Sequence, residues 1–264
     1  MDKKTIRHII HVFFQRLKKY NRQIQIHYAK KPIHLFRVQY KKLRAFLRLL
    51  SLEAGTPIKL PHGMKKMYRT AGKIRDRQIH HKKFPAPGQG KKDKSWYPSK
   101  KEEKHFLSGA QLSSIEKNLL QKIPESLSPE TVKTFFKQKQ DSINNLLQKT
   151  GKKDEDLHLI RKQLKDLIYI VQLFIEELKQ PLPFRFWNRS ERKKIDELAH
   201  QLGLFNDYCT IHTFLENRPA DEPGFEKNKN PLEMQQSLNL KNQQRQSVLT
   251  QLDLLAPCLL TQPG

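Results

Sequence analysis

Residues 33–50 read Ile33-His34-Leu35-Phe36-Arg37-Val38-Gln39-Tyr40-Lys41-Lys42-Leu43-Arg44-Ala45-Phe46-Leu47-Arg48-Leu49-Leu50, and this stretch decides the fold class. Placed on a helix at about 100° per residue, His34, Arg37, Lys41, Arg44 and Arg48 fall within an arc of roughly 80°. Leu35, Phe36, Leu43, Phe46, Leu47 and Leu50 take the opposite side. That is an amphipathic helix with a core face and a face of almost pure cation. Like charges on adjacent turns repel, and no acid stands between Lys30 and Glu53 to relieve them. A solvated face usually mixes signs; this one calls for an anion from elsewhere.

The next helical segment repeats the design. Lys66, Arg69, Lys73, Arg77 and His80 share an arc of roughly 80°, with Met64, Met67, Tyr68, Ala71 and Ile74 on the other side. A thinner third stripe holds His158, Arg161, Lys162, Lys165 and Tyr169 opposite Ile160, Leu164, Leu167 and Val171, with Asp166 one step away. Neighbouring stripes of one sign can wall a channel in which field lines focus and anions concentrate. That reading requires Arg37, Lys41 and Lys73 to face one trough.

Apolar residues recur at helical spacing through most of the chain, and strand-like alternation is scarce. The spacing predicts helices over 2–29, 32–52, 62–82, 105–122, 129–150, 154–179, 187–216 and 231–256. Ser128-Pro129-Glu130 is a well-formed helix opening. Residues 84–104 are rich in Pro, Gly and Lys and read as a mobile basic loop, with Trp96-Tyr97 more naturally a local anchor than a stacking patch. Residues 217–230 read as a polar linker. Two parts of the chain look like copies. His34 with Arg37, then Gly72 through Arg75-Asp76, match His158 with Arg161, then Gly203 through Asn206-Asp207. The shared order predicts two helical units, 1–122 and 123–264.

Charge bounds the partner. Lys and Arg number 51 against 26 Asp and Glu, a formal net of +25. Residues 1–110 hold 29 of the bases and 6 of the acids, so the remainder is nearly balanced. A localised basic face toward a polyanion follows. Cys209 and Cys258 allow neither a disulfide framework nor a zinc spacing. No apolar run reaches the roughly 18–20 residues of a membrane-spanning helix, and the charged start offers no signal peptide core; a cytoplasmic protein without membrane insertion is expected. The tight His pairs His8/His11 and His80/His81 lack carboxylate or Cys partners at ligand spacing. No phosphate loop, dinucleotide fingerprint or zinc-protease helix is present. The expectation is a protein with no metal, no cofactor and no catalysis, in which Asp76 and Asp207 brace basic neighbours.

The run from Ile33 to Ala45 closely resembles the signature of the CHAD family, the conserved-histidine alpha-helical domain, which reads approximately V-H-x-x-R-V-x-x-R/K-R/K-L-R-A. The match runs through His34, Arg37, Val38, Lys41, Lys42, Leu43, Arg44 and Ala45. Arg75-Asp76 resembles the pair that closes the family's first unit. Leu157-His158, Arg161, Lys165 and Tyr169, with Leu202-Gly203 and Asn206-Asp207, resemble the second unit. The resemblance implies an all-α fold of two pseudo-symmetric antiparallel helical bundles packed around a basic groove or pore. It also implies binding of inorganic polyphosphate and association with polyphosphate granules.

Carried onto this sequence, the implied phosphate contacts are His34, Arg37, Lys41, Lys42, Arg44 and Arg48. Helical spacing adds Lys66, Arg69, Lys73 and Arg77, and the second unit adds His158, Arg161, Lys162 and Lys165. Asp166 and Ile168 depart from the second-unit pattern, as does Asn206 where the first unit has Arg75. The N-terminal bundle is therefore expected to hold most of the polymer. The alternative is binding of an RNA phosphate backbone. It would call for base-stacking aromatics on the basic faces, where the stripes offer only Tyr40 and Tyr169. Removal of residues 85–103 is expected to spare the fold.

Overall fold

The computed structural model describes residues 1–83, 97–216 and 231–259, the Cys258 side chain excepted. Among these residues every element is helical, and strand geometry is limited to one isolated bridge, Asp2 with Ser126. The elements are α1 (Lys3–His27), α2 (Lys30–Glu53), α3 (His62–Lys83), α4 (Lys100–Glu103), α5 (Gly109–Leu120), α6 (Pro129–Leu147), α7 (Asp154–Gln172), α8 (Arg189–Glu216) and α9 (Pro231–Leu259).

Local chemistry sets the boundaries. Asp2 caps α1 by accepting from the Thr5 N–H at 2.8 Å, and Tyr28 ends the helix in a left-handed conformation, φ 47°. Pro32 falls in the first turn of α2, where its missing N–H costs nothing. Gly55, φ 63°, terminates α2 in the conformation that glycine adopts without a Cβ penalty. Ser128 opens α6 by accepting from Thr131 N–H, with Pro129 at the first position. The spacing predicts one helix over 105–122. The chain instead starts α5 at Gly109, because Ser108 and Gln111 form a reciprocal capping box, which satisfies two orphan donors at once. After Gln172, α7 continues as a single π turn over Leu173–Glu177 and stops at Lys179, φ 55°.

α2 lies between α1 and α3, and α1 also packs on α5; in the second half α7 lies between α6 and α8, and α9 closes on α8 and α6. The two sets meet through α2 on α7 and α6, and through α3 on α8. Each helix gives the same kind of face to this arrangement. Ile33, Phe36, Tyr40, Leu43, Leu47 and Leu50 of α2 are buried at helical spacing, as are Leu157, Ile160, Leu164, Leu167 and Val171 of α7. These belong to one continuous core that runs through both halves. Each fully buried Leu or Phe contributes about 1.5–3 kcal/mol of transfer free energy. Polar ties add to this. The Glu53 carboxylate accepts from the Ser128 N–H and hydroxyl at 3.0 and 2.9 Å, joining the end of α2 to the start of α6. The Met1 ammonium donates to Leu127 O at 2.8 Å.

The expected basic loop divides. Residues 84–96, including Trp96, lie outside the described residues, as does the whole 217–230 linker. Residues 97–104 are packed. Tyr97 meets the Tyr28 ring edge-on at 5.3 Å. Ser99 caps α4 through Glu102. Glu102 accepts from both terminal nitrogens of Arg77 at 3.1 and 3.2 Å, and Glu103 accepts from the Tyr28 hydroxyl at 2.9 Å. Tyr97 is thus an anchor, and deletion through residue 103 is not neutral. Tyr97→Ala is expected to cost about 1 kcal/mol in lost ring contact. That amounts to about 2–4 °C in Tm for a chain of this size, read by circular-dichroism melting; an unchanged Tm would mean the segment is held by something else.

Candidate functional site

Where α2, α3, α7 and α8 meet, they enclose a trough of about 310 Å³. From α2 it receives Arg37, Lys41, Arg44 and Arg48; from α7, His158, Arg161, Lys162, Lys165, Asp166 and Tyr169. α3 contributes Tyr68, Arg75 and Asp76, and α8 contributes Asn206, Asp207 and Thr210. The same helical residues that drive Ile33, Phe36 and Leu43 into the core leave the arc of Arg37, Lys41 and Arg44 facing α7. The α7 pattern does the same in return.

Among the residues that line the trough, two ion pairs cross between the halves. Arg48 donates to both oxygens of buried Asp166 at 2.8 and 2.6 Å, and Lys139 of α6 reaches the same carboxylate at 3.1 Å. Arg75 meets Asp207 at 3.2 Å. Asp166 and Asp207 are therefore committed to cations already present. Six others, Arg37, Lys41, Arg44, Arg161, Lys162 and Lys165, have no carboxylate within ion-pair distance among the described residues. Three come from α2 and three from α7. The basic surplus of the N-terminal half does not carry over into the trough, whose unpaired charge is shared evenly.

The two signature arginines each cross a glycine, but Arg37 is held far more closely. Arg37 Nη1 donates to the Tyr68 carbonyl at 3.1 Å, and its guanidinium lies 4.5 Å from the centre of the Tyr68 ring. Tyr68 in turn stacks on Tyr40 at 4.3 Å, and Arg44 lies 5.9 Å from the Tyr40 ring. Gly72 makes this possible, since a Cβ there would stand 2.2 Å from Arg37 Nη1. In the second half Arg161 passes over Gly203, with its Nε 4.0 Å from where a Cβ would be. Arg37 Nε and Arg161 Nε are both buried without a hydrogen-bond partner. A buried, unsatisfied donor is costly, and these two belong to the corresponding arginines of α2 and α7.

Burial and like charge depress the basicity of the trough. Lys41 is pushed down to about 7, chiefly by burial and then by Arg161, Arg37 and Arg75. Burial also lowers Lys165, with Arg161 adding to it, and lowers Arg161 itself. His34 is lowered by burial and by Arg75. His158 is lowered by burial, against the hydrogen bond to Asn206; its Nδ1 lies 2.7 Å from Asn206 Oδ1, so Nδ1–H donates. Asp76 is raised by burial, although Arg37 and Arg75 oppose this.

Not every residue singled out in the sequence arrives. His34 is exposed and stands near Arg75 and Asp207 without lining the trough. Lys42 turns away toward Glu176 at 3.6 Å. Lys66, Arg69 and Lys73 are exposed on the outer side of α3, and Arg77 is bound to Glu102. So Arg37 and Lys41 share the trough and Lys73 does not: the channel wall expected from the α3 stripe is not formed, and the cations that face Arg37 and Lys41 come from α7 instead. The face that α3 presents runs through Tyr68, Gly72, Arg75 and Asp76, about a third of a turn from the cation stripe. Arg75, Asp76, Asn206 and Asp207 were marked in the sequence as a repeated pair. Tyr68 and Thr210 carried no signal beyond falling on the same faces. Among the described residues no group of three or more His, Cys, Asp or Glu could hold a metal ion, and no helix is long and apolar enough to cross a membrane.

The family model of the CHAD domain matches residues 8–216. The crystal structure of the CHAD domain from the plant Ricinus communis superposes with a TM-score of 0.66 over 99% of this chain and 93% of that one, at 14% identity. No curated protein matches the chain.

The glycines provide a test of the trough's construction. Gly72→Ala is expected to leave stability within about 1 kcal/mol, because gained helix propensity offsets the lost Arg37 hydrogen bond. It should nonetheless displace the Arg37 guanidinium, seen as a shift of its Nε–H resonance by NMR. Gly203→Ala should leave Arg161 in place and raise stability; equal behaviour of the two variants would contradict the close approach at Gly72.

Proposed function

The chain belongs to the CHAD domain family, and from that premise we propose that it binds inorganic polyphosphate in the trough between α2, α3, α7 and α8 without transforming it. The observation that carries this is the set of six cations held there with no carboxylate within ion-pair distance among the described residues. Folding them into a narrow space costs repulsion that only a multivalent anion offsets. Phosphate oxygens suit the lining, since Arg can grip them bidentately and Lys serves as a point charge. Asp207 holds Arg75 in place, a bracing role and not that of a general base. Placement on polyphosphate granules in the cytoplasm accompanies this reading.

The aromatic residues favour a ligand made of phosphate alone over RNA. Tyr40 and Tyr169 are buried, at 2% and 9% exposure. Tyr68 lines the trough, but its ring is already engaged by Arg37 and Tyr40. Among the described residues that line the trough, a nucleobase would find no open platform of the kind that supports single-strand binding.

A competition titration tests the reading. Polyphosphate should displace single-stranded RNA at equal phosphate concentration, and preference for RNA would reject the proposal. The triple variant Arg37→Ala, Lys41→Ala, Arg44→Ala should lose affinity at least 100-fold with unchanged helical content. The α7 variant Arg161→Ala, Lys162→Ala, Lys165→Ala should lose a comparable amount. Because Lys41 titrates near 7 in the free protein and an anion favours its charged form, binding takes up a proton. Affinity should accordingly fall as pH rises from 7 to 9, and this dependence should flatten in Lys41→Met.

A further inference from the structure

Beside the trough lies a larger cleft of about 650 Å³, formed by the C-terminal half of α2, the 54–61 connection and α6. The two cavities share Arg44 and Arg48 as a common wall. The cleft adds Lys59, Lys65 and Lys139, and none of its lining residues is acidic. Lys139 is engaged with Asp166 and Gln163, whereas Lys59 and Lys65 are exposed and their ammonium groups have no ion-pair or hydrogen-bond partner among the described residues. Its apolar floor is almost closed to solvent: Tyr40 and Leu47 are 2% exposed, Phe135 3% and Ile58 4%. Leu52 and Leu60 are half-exposed beside this floor, and every charged group on the rim is a cation.

We infer that this cleft is a second phosphate subsite, through which a long polyphosphate leaves the trough past Arg44 and Arg48 to reach Lys59 and Lys65. The inference rests on the binding proposed above and deepens it, because it makes affinity depend on chain length. A short oligophosphate fills the trough alone, while a long chain spans both cavities. Joining the two sites on one ligand turns the second contact into an intramolecular event, which strengthens binding without any new chemistry. The subsite is anion-selective by charge, since its rim offers an anion no opposing carboxylate.

The test compares tripolyphosphate with a polyphosphate of several hundred units by isothermal titration at fixed ionic strength. The variant Lys59→Glu, Lys65→Glu should weaken the long chain at least tenfold and leave tripolyphosphate within twofold. A control with the same change of net charge, Lys117→Glu with Lys122→Glu, lies at α5, which packs on α1 away from the trough, and should affect the long chain less than threefold. Equal weakening by the two pairs, or equal weakening of short and long chains, would overturn the subsite and leave trough binding standing. Loss of tripolyphosphate and long-chain binding in the unmodified protein would instead remove the trough reading and the subsite together.

Discussion

Six cations face one another across a trough a few side chains wide, and the rest of the molecule has to hold them there. In water such charges would drift apart; here α2 and α7 are fixed by a core that both halves share. The compensation inside the trough is sparing. Asp166 takes Arg48 and Lys139, Asp207 takes Arg75, and the remaining cations are left to repel. Burial of apolar area, at about 25 cal/mol per Å², is the large term, and it stabilises a local arrangement that electrostatics alone would open. The depressed basicity of Lys41 records its burial first and that repulsion second.

The fold was legible because its signal is periodic. The apolar stripe of residues 33–50 predicts a helix with one face inward, and the structure buries that face. Half of the site was legible for the same reason, since the arc opposite the core of α2 and α7 faces the partner helix. α3 shows where this stops. Its polar surface spans more than half the helix, and periodicity cannot say which part meets a neighbour. The conspicuous cations Lys66, Arg69 and Lys73 lie outward, while a quieter face of Tyr68, Gly72, Arg75 and Asp76 lines the trough. Charge counting failed similarly. Many bases of the N-terminal half are exposed or tied, as Arg77 is to Glu102, Arg16 to Glu177 and Lys42 to Glu176. Those pairings join residues far apart in the chain, so no local pattern announces them. Asp166, an apparent interruption in the α7 stripe, proves to be the counterion of Arg48.

Glycine has a particular place in this arrangement. Gly72 is buried within a helix, where it costs about 1 kcal/mol of helix stability relative to alanine. In return the Arg37 guanidinium lies against the α3 backbone, bound to the Tyr68 carbonyl, with its Nε turned inward. Gly203 repeats the arrangement more loosely beneath Arg161. At Gly72 the helix-weakening residue is explained by the arginine that crosses it; at Gly203 the approach is no closer than ordinary contact and does not require glycine.

The recurrence of an arginine beside a glycine in both halves, Arg37 at Gly72 and Arg161 at Gly203, would have a kinetic meaning for the proposed ligand. An inorganic phosphate chain reads the same from either terminus, whereas a nucleotide strand has a head and a tail. If the trough holds such a chain, cations supplied alike by α2 and α7 would accept it in either direction, so one of the orientational demands that ordinarily slow docking would be relaxed. On that proposal the even division of charge would bear on how quickly an undirected strand is captured, in addition to how firmly it is kept.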